Sequence, residues 1–330
     1  MKMKKQSILK KQVCSLKPNE VVIGKWNKHK YVIERLLGYG ATGAVYLARS
    51  VNGNVAIKIA PNTMSISSEV NILRQFEKGK KVQGPSLGPS FYEADDYVSK
   101  YGVFPFYVME YIDGEPLLPF VRKRGMEWLG ILLIQLLNEL HHIHEAGFVF
   151  GDLKPENLII EKKTKQLRWL DPGGMTRHGR SIKEYTEFFD RGYWGLGSRS
   201  AEPSYDLFSV SMLIMNQGYL TRFEKNNVFQ AKGLINKFRQ KQDLLPYEQV
   251  FIKGIEGKYK NALEMRDDVM DVIMNSRFSR SGQSNSRVQR SRGKKQKRKR
   301  STKWLGVIES LIVASFLLIL YILYLFGQTF

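Results

Sequence analysis

Asp152, Lys154 and Asn157 stand within one eight-residue run that reads Phe150, Gly151, Asp152, Leu153, Lys154, Pro155, Glu156, Asn157. A carboxylate at the first of these positions can accept the proton of an attacking hydroxyl. An ammonium two residues on can neutralise charge on a transferring phosphoryl group, and an amide oxygen five residues on can hold a divalent cation. Asp171-Pro172-Gly173 begins fourteen residues after Asn157 and offers a carboxylate for the bridging cation. Upstream, Gly38, Gly40 and Gly43 fall in the run Gly38–Val45, where backbone amides can close over phosphate oxygens with no Cβ in the way. Fifteen residues past Gly43 comes Lys58 in Val55-Ala56-Ile57-Lys58, placed to reach the phosphates of a nucleotide. Glu69 follows at a spacing that lets it pair with Lys58. Each motif alone is a weak signal; a turn explains any glycine and a solvated helix any glutamate. Their order and spacing together point to phosphoryl transfer.

These residues need a particular set of elements to hold them. Residues 31–37, 44–49 and 54–60 read as three strands with short connections, and the glycine run joins the first two. Because that run opens no helix, it does not fit a dinucleotide-binding turn. Ser65–Phe76 reads as a helix with Val70, Leu73 and Phe76 on one face, and Phe106–Tyr111 as a further strand. Glu127–Ala146 reads as a long apolar helix stopped by Gly147. The pattern is then mostly helical to about Met274. Strands first and helices after predict a two-lobed α+β fold over 21–275, with a small lobe at about 21–110 and a large lobe at about 111–275.

On these motifs the chain resembles the eukaryotic-like (Hanks-type) serine/threonine protein kinases over residues 21–275. More narrowly it resembles the YabT-type sporulation kinases of spore-forming bacilli, through Gly151–Pro155, Ile182–Trp194, Ala201–Phe208 and the layout of the C-terminal segments. The resemblance implies ATP with Mg2+, for which Mn2+ can substitute, and protein substrates. It makes Asp152 the base, with Asn157 and Asp171 as metal ligands. It places Met109 at the back of the adenine pocket, Glu110 and Ile112 as backbone contacts to adenine, and Ala56 and Val45 against the nucleotide. It also implies DNA-associated substrates, DNA binding by the basic segment and a role in sporulation.

The chain departs from the family pattern at four places. Phe150-Gly151 replaces His-Arg before Asp152, which removes the arginine that reads a phosphate on the activation segment. Thr176, Ser181, Thr186, Ser198 and Ser200 are that segment's candidate phosphoacceptors, and replacing all five by alanine is expected to cost little. Pro172 replaces the phenylalanine of Asp-Phe-Gly. Ala201-Glu202-Pro203 only echoes Ala-Pro-Glu, and Lys258 lies near the place of the cation that would pair Glu202. None of these changes removes a phosphate, metal or proton-transfer residue.

The 52 Lys and Arg outnumber 31 Asp and Glu, a formal charge of +21 on 330 residues. Residues 272–308 hold 12 of the cations and no acid, and residues 1–17 hold 6 more and no acid. With those 18 set aside, the remaining 34 basic groups nearly balance the acids. The basicity therefore belongs to a tail at 1–20 and to a linker at 276–303. The linker is polar, charged and predicted disordered. The 23 residues Trp304–Phe326 are apolar on every face and about 34 Å long as a helix, enough for one membrane crossing, with only 327–330 beyond. The basic linker orients such a helix with the globular domain in the cytoplasm of a cell-membrane protein. Between Phe278 and Trp304 there is no aromatic residue for base stacking, so nucleic-acid binding by Lys294, Lys295, Lys297, Arg298, Lys299 and Arg300 would be phosphate-driven and sequence-independent. Charge alone leaves DNA and anionic lipid equally open; the resemblance favours DNA.

Cys14 is the sole cysteine, so neither an intrachain disulfide nor a cysteine zinc site is expected. The N-terminus lacks the apolar core of a signal peptide. His141, His142 and His144 close a helix, where their partial charge opposes the dipole, and no carboxylate or cysteine joins them into a metal site. Two other functions fit parts of the pattern. A small-molecule phosphotransferase would share Gly151-Asp152 but not Lys154-Pro155. A nucleotide-binding pseudokinase would serve as a membrane-bound DNA or lipid tether.

Overall fold

The computed structural model describes residues 16–287 apart from 41, 84–86 and 226–230. The stretch 304–326 expected to cross a membrane, the tail 327–330 and the six linker cations lie outside the described residues. Among those described, no helix is long and apolar enough to cross a membrane.

The small lobe is one antiparallel sheet of six strands: β1 (Val21–Ile23), β2 (Lys30–Tyr39), β3 (Ala44–Ser50), β4 (Gly53–Ile59), β5 (Phe91–Ser99) and β6 (Gly102–Glu110). Their spatial order is β1-β2-β3-β4-β6-β5. A bridge between Gly24 and Tyr97 brings the two edges together, so the sheet curls back on itself. Register decides which residues face the cleft. Val45 lies opposite Lys58, Ala56 opposite Met109 and Lys58 opposite Tyr107. Side chains alternate along a strand and opposite partners share a face. One face therefore carries Val45, Ala56, Lys58, Tyr107 and Met109. The other face, with Tyr46, Ile57, Ile59, Phe106 and Val108, forms the small-lobe core.

Helix α1 (Met64–Gln83) packs on the face of the sheet that carries Ala56, Lys58, Tyr107 and Met109. Val70 and Leu73 are buried and Phe76 packs against the same core, the face expected from their spacing. The predicted strands and helix all form. Strand β6 starts four residues earlier than its apolar run suggests, at Gly102.

The large lobe opens with β7 (Gly114–Pro116), α2 (Leu117–Arg124) and α3 (Met126–Glu145). Gly147, at φ +80, follows the end of α3, a conformation that suits glycine. Four short strands come next: β8 (Phe148–Val149), β9 (Leu158–Glu161), β10 (Leu167–Trp169) and β11 (Thr176–Arg177). Then come α4 (Arg191–Trp194), α5 (Pro203–Gln217), α6 (Ala231–Arg239), α7 (Glu248–Ile255) and α8 (Ala262–Arg287). From Tyr205 to Gln217 every residue of α5 is buried, so it is the post around which the lobe packs. Helix α8 continues to Arg287, so its backbone runs twelve residues past the boundary drawn at 275 and into the segment expected to be disordered. The physical reason is that a helix already nucleated on a packed face propagates cheaply into a following polar stretch.

Candidate active site

Lys58 reaches from β4 to the Glu69 carboxylate at 2.7 Å and to Asp171 Oδ1 at 3.5 Å. Lys58 and Glu69 are buried, whereas 46% of the Asp171 side chain is exposed to the cleft. Burial opposes the Lys58 charge, but Asp171 and Glu69 outweigh it and hold the ammonium above its usual range. Burial raises the Glu69 carboxyl in turn, tempered by Lys58. Tyr107 donates to Glu69 Oε2 at 2.8 Å and fixes its orientation. Among the described residues, the other oxygen, Oε1, is buried without a hydrogen-bond partner.

Across the cleft, the loop after β8 carries Asp152. Its Oδ2 accepts from Lys154 Nζ at 2.5 Å and its Oδ1 from the Thr186 hydroxyl at 3.1 Å. Lys154 also donates to Thr186 Oγ1 at 3.3 Å. Asn157 donates its amide N–H to Asp152 O at 2.8 Å, which leaves the amide oxygen as the atom for a cation. Asp171 Oδ1 takes the Gly173 N–H at 2.9 Å.

The backbone of this loop hangs on α5. Asp206, fully buried, accepts from Phe150 N at 2.7 Å and Gly151 N at 3.0 Å, and lies 2.9 Å from His144 Nε2. His144 thus belongs to the support of the loop. Gly151 sits at φ +82, and a Cβ there would collide with the Gly174 carbonyl. A Cβ at Gly174 would fall 2.7 Å from the Asp152 backbone nitrogen. The two glycines let the Asp171 segment lie directly on the catalytic loop, and the position of the missing arginine has no room for a side chain. Phe150 is buried with its ring edge-on to Trp169, centroids 6.0 Å apart.

At the hinge, Met109 is buried opposite Ala56, and Ile112 is buried. The Glu110 carboxylate turns away from the cleft to Arg168, at 2.7 and 3.2 Å, and to the Ser90 N–H at 3.0 Å. Only main-chain atoms of Glu110 therefore remain for a planar base. Gly43 packs its Cα against the β4 backbone at Ile59, whereas a Cβ on Gly38 or Gly40 would meet nothing. Open space over a buried lysine, with an exposed carboxylate and an amide oxygen opposite, fits a nucleotide triphosphate and Mg2+. That cation commonly takes one or two protein oxygens and completes its shell with phosphate and water. The structure brings Lys58, Glu69 and Asp171 into one cluster, and Asp152, Lys154 and Asn157 into another.

Two expectations need correction. Thr186 is tied to Asp152 and Lys154 rather than being a loop hydroxyl of no consequence, and Thr176 is buried and donates to Gly174 O. Glu202 is paired by Arg191 at 3.1 Å, while Lys258 pairs Glu256 at 2.7 Å. Arg191 precedes the motif in sequence, and is buried with further bonds to Ser198 O and Ser204 Oγ. Asp206 and Asp190 have no role in the sequence reading. Asp190 is fully buried and takes Gly192 N, Tyr193 N, Arg199 and the Tyr205 hydroxyl. The signal for both is a lone carboxylate within an apolar run, since a buried carboxylate must be bonded.

The protein kinase domain model matches residues 31–282. The serine/threonine-protein kinase YabT of Bacillus subtilis (strain 168) is 45% identical over 262 residues, covering 78% of this chain and 76% of that protein. The serine/threonine-protein kinase pkn3 of Myxococcus xanthus is 29% identical over 152 residues, covering 44% of this chain but 27% of that protein. The serine/threonine-protein kinase PknG of Mycobacterium leprae (strain TN) is 26% identical over 170 residues, covering 49% and 21%. The chain belongs to the protein kinase family, as a Hanks-type serine/threonine kinase close to YabT.

Proposed function

We propose that this kinase is a single-pass membrane protein whose catalytic domain faces the cytoplasm, and that DNA bound to its basic linker stimulates it toward DNA-associated substrates in sporulation. ATP, with Mg2+ between Asp171 and Asn157, would supply the phosphoryl group. Lys58, steadied by Glu69, orients the phosphates. Asp152 accepts the proton of the substrate hydroxyl, and Lys154 offsets charge as the phosphoryl group moves. The position of Asp152 supports this reading, since both carboxylate oxygens are oriented by Lys154 and Thr186.

The cellular part rests on one observation. Twelve cations with no acid stand directly before a 23-residue apolar run. Such a segment orients a membrane helix and also binds polyanions. Several kinases tethered along one DNA molecule would meet each other and DNA-bound substrates at raised effective concentration. The test is phosphotransfer to a generic protein substrate by the full chain in neutral-lipid nanodiscs, with Asp152→Asn as control. DNA of any sequence is expected to stimulate, with affinity falling steeply as salt rises. Glutamine at Lys294, Lys295, Lys297, Arg298, Lys299 and Arg300 removes the stimulation and leaves basal turnover. Stimulation by anionic lipid and not by DNA would favour the lipid reading, and equal activity with and without DNA would leave the linker as a topology signal.

A further inference from the structure

Helix α1 presents a polar face that its pairing with the sheet does not use. Ser68, Asn71 and Gln75 recur at helical spacing and line one cavity of about 340 Å3 against the activation segment. The opposite wall carries Arg177, Arg180 and Lys183. Among the described residues, none of these three cations lies within 4 Å of a carboxylate, and all three are exposed. Arg177 lies over the Phe148 ring at 5.2 Å, which orients its guanidinium at the cavity. The acidic groups of the cavity, Glu69 and Glu184, gather instead at Gly173, 3.3 and 3.6 Å from where its Cβ would stand. Ser68, Asn71 and Gln75 thus face three cations across a cavity whose two carboxylates are drawn to Gly173. The first turn of α1 also lacks any acid to offset the positive end of its dipole.

We propose that Ser68 is a phosphorylation site, and that its phosphate is received by Arg177, Arg180 and Lys183 to pin α1 to the activation segment. Ser68 directly precedes Glu69, so a bond formed there fixes the turn of helix that holds Lys58. The modification adds negative charge where three cations face two carboxylates that lie together at Gly173: a phosphoserine carries nearly two negative charges and three acceptor oxygens, which suit guanidinium forks. It also places an anion near the helix N-terminus. Gly151 leaves no side-chain cation beneath this region, so the activation segment itself supplies the receiving groups.

The inference rests on the kinase assignment for the origin of the phosphate. Ser68 Oγ forms a bond to the γ-phosphorus of ATP while the bond to the β,γ-bridging oxygen breaks. ADP leaves and the hydroxyl proton passes to the Asp152 carboxylate. The enzyme in this step is a second copy, because Glu69 ties the neighbouring residue of α1 to Lys58 in its own cleft. Ser68 is the fifth residue of α1, close enough to the end for local opening to present it.

The experiment uses the full chain, freed of phosphate and incubated with Mg2+ and ATP, with sites located by mass spectrometry. Phosphate is expected at Ser68, at a rate per molecule that rises with protein concentration. Turnover on a peptide should increase about tenfold as Ser68 fills. Ser68→Ala keeps basal turnover without the increase. Arg177→Gln/Arg180→Gln/Lys183→Gln still accepts the phosphate and gains nothing. An unmodified Ser68 in protein that phosphorylates a generic substrate overturns the proposal, as does equal turnover of the phosphorylated chain and Ser68→Ala. Should the chain transfer no phosphate to any protein, the kinase assignment itself fails. Phosphoserine inserted at residue 68 during translation then tests the receiving site alone. It should raise the melting temperature of the wild-type chain and not of the triple glutamine variant, and an equal temperature with and without it refutes the site.

Discussion

The Thr186 hydroxyl donates to Asp152 Oδ1 at 3.1 Å and accepts from Lys154 Nζ at 3.3 Å, closing a three-membered polar ring in the cleft. A residue thirty-four positions away in sequence thus helps aim the carboxylate that meets the substrate. Thr186→Ala should lower kcat about 10- to 100-fold with little change in the KM for ATP, because the ring touches Asp152 and Lys154 and not Lys58, which orients the phosphates of bound ATP. Thr186→Ser should recover most of the loss. Steady-state kinetics on a short peptide checks both. A Thr186→Ala enzyme with unaltered kcat would show that Lys154 alone suffices.

The two aspartates of the cleft should separate in their effects. Asp152→Asn should leave nucleotide binding nearly intact and abolish phosphotransfer. Asp171→Asn should weaken Mg2+-ATP binding as well, since its half-exposed carboxylate is the one placed for metal and also 3.5 Å from Lys58. Calorimetric titration with a non-hydrolysable nucleotide, with and without Mg2+, distinguishes the two. Equal nucleotide affinities for both variants would contradict the assignment.

Restoring the family's arginine should harm this protein. Residue 151 has φ +82, and any Cβ meets the Gly174 carbonyl. Gly151→Ala and Gly151→Arg should each destabilise the fold by about 1–3 kcal/mol through backbone strain and the clash. Thermal melting measures this, and an unchanged melting temperature for Gly151→Ala would mean the loop relaxes freely.

Where side chains alternate or repeat locally, the sequence was readable. The cleft face of β4 follows from Ala56 and Lys58 two residues apart, and the α1 face from Val70 and Leu73. Strand β5 was not readable, because Asp95 and Asp96 interrupt it and acids are poor strand formers. In the fold Asp95 is buried and takes the N–H groups of Trp26 and Asn27, which repays its burial. Strands β8–β11 have two to four residues each, too few for any period to show. The catalytic run was legible because Asp152, Lys154 and Asn157 are neighbours. Thr186, Asp206 and Arg191 reach their partners only through the fold, and a lone threonine, aspartate or arginine carries no local mark of its partner.

The Arg191–Glu202 pair bears on acid stability. Arg191 hydrogen-bonds Glu202 and holds its carboxyl below the usual range. A folded-state pKa below the unfolded one means the unfolded chain binds the proton more readily. The pair's contribution is then fully present above the ordinary glutamate range and fades as pH falls through the lowered value. Just over half of the Glu202 side chain is exposed, so solvent screens the ion pair and its contribution is small. Arg191, by contrast, is buried and keeps Ser198 O and Ser204 Oγ when Glu202 is lost. Glu202→Gln should therefore lower the melting temperature slightly at neutral pH, and the difference from wild type should shrink as pH drops below about 4. Arg191→Met should cost more and at every pH, because it strips the buried guanidinium's bonds to Ser198 O and Ser204 Oγ as well. Melting curves of the three proteins between pH 3 and pH 8 decide it. A Glu202→Gln difference that stays constant down to the acid limit would place the pair's contribution in hydrogen-bond geometry and not in charge.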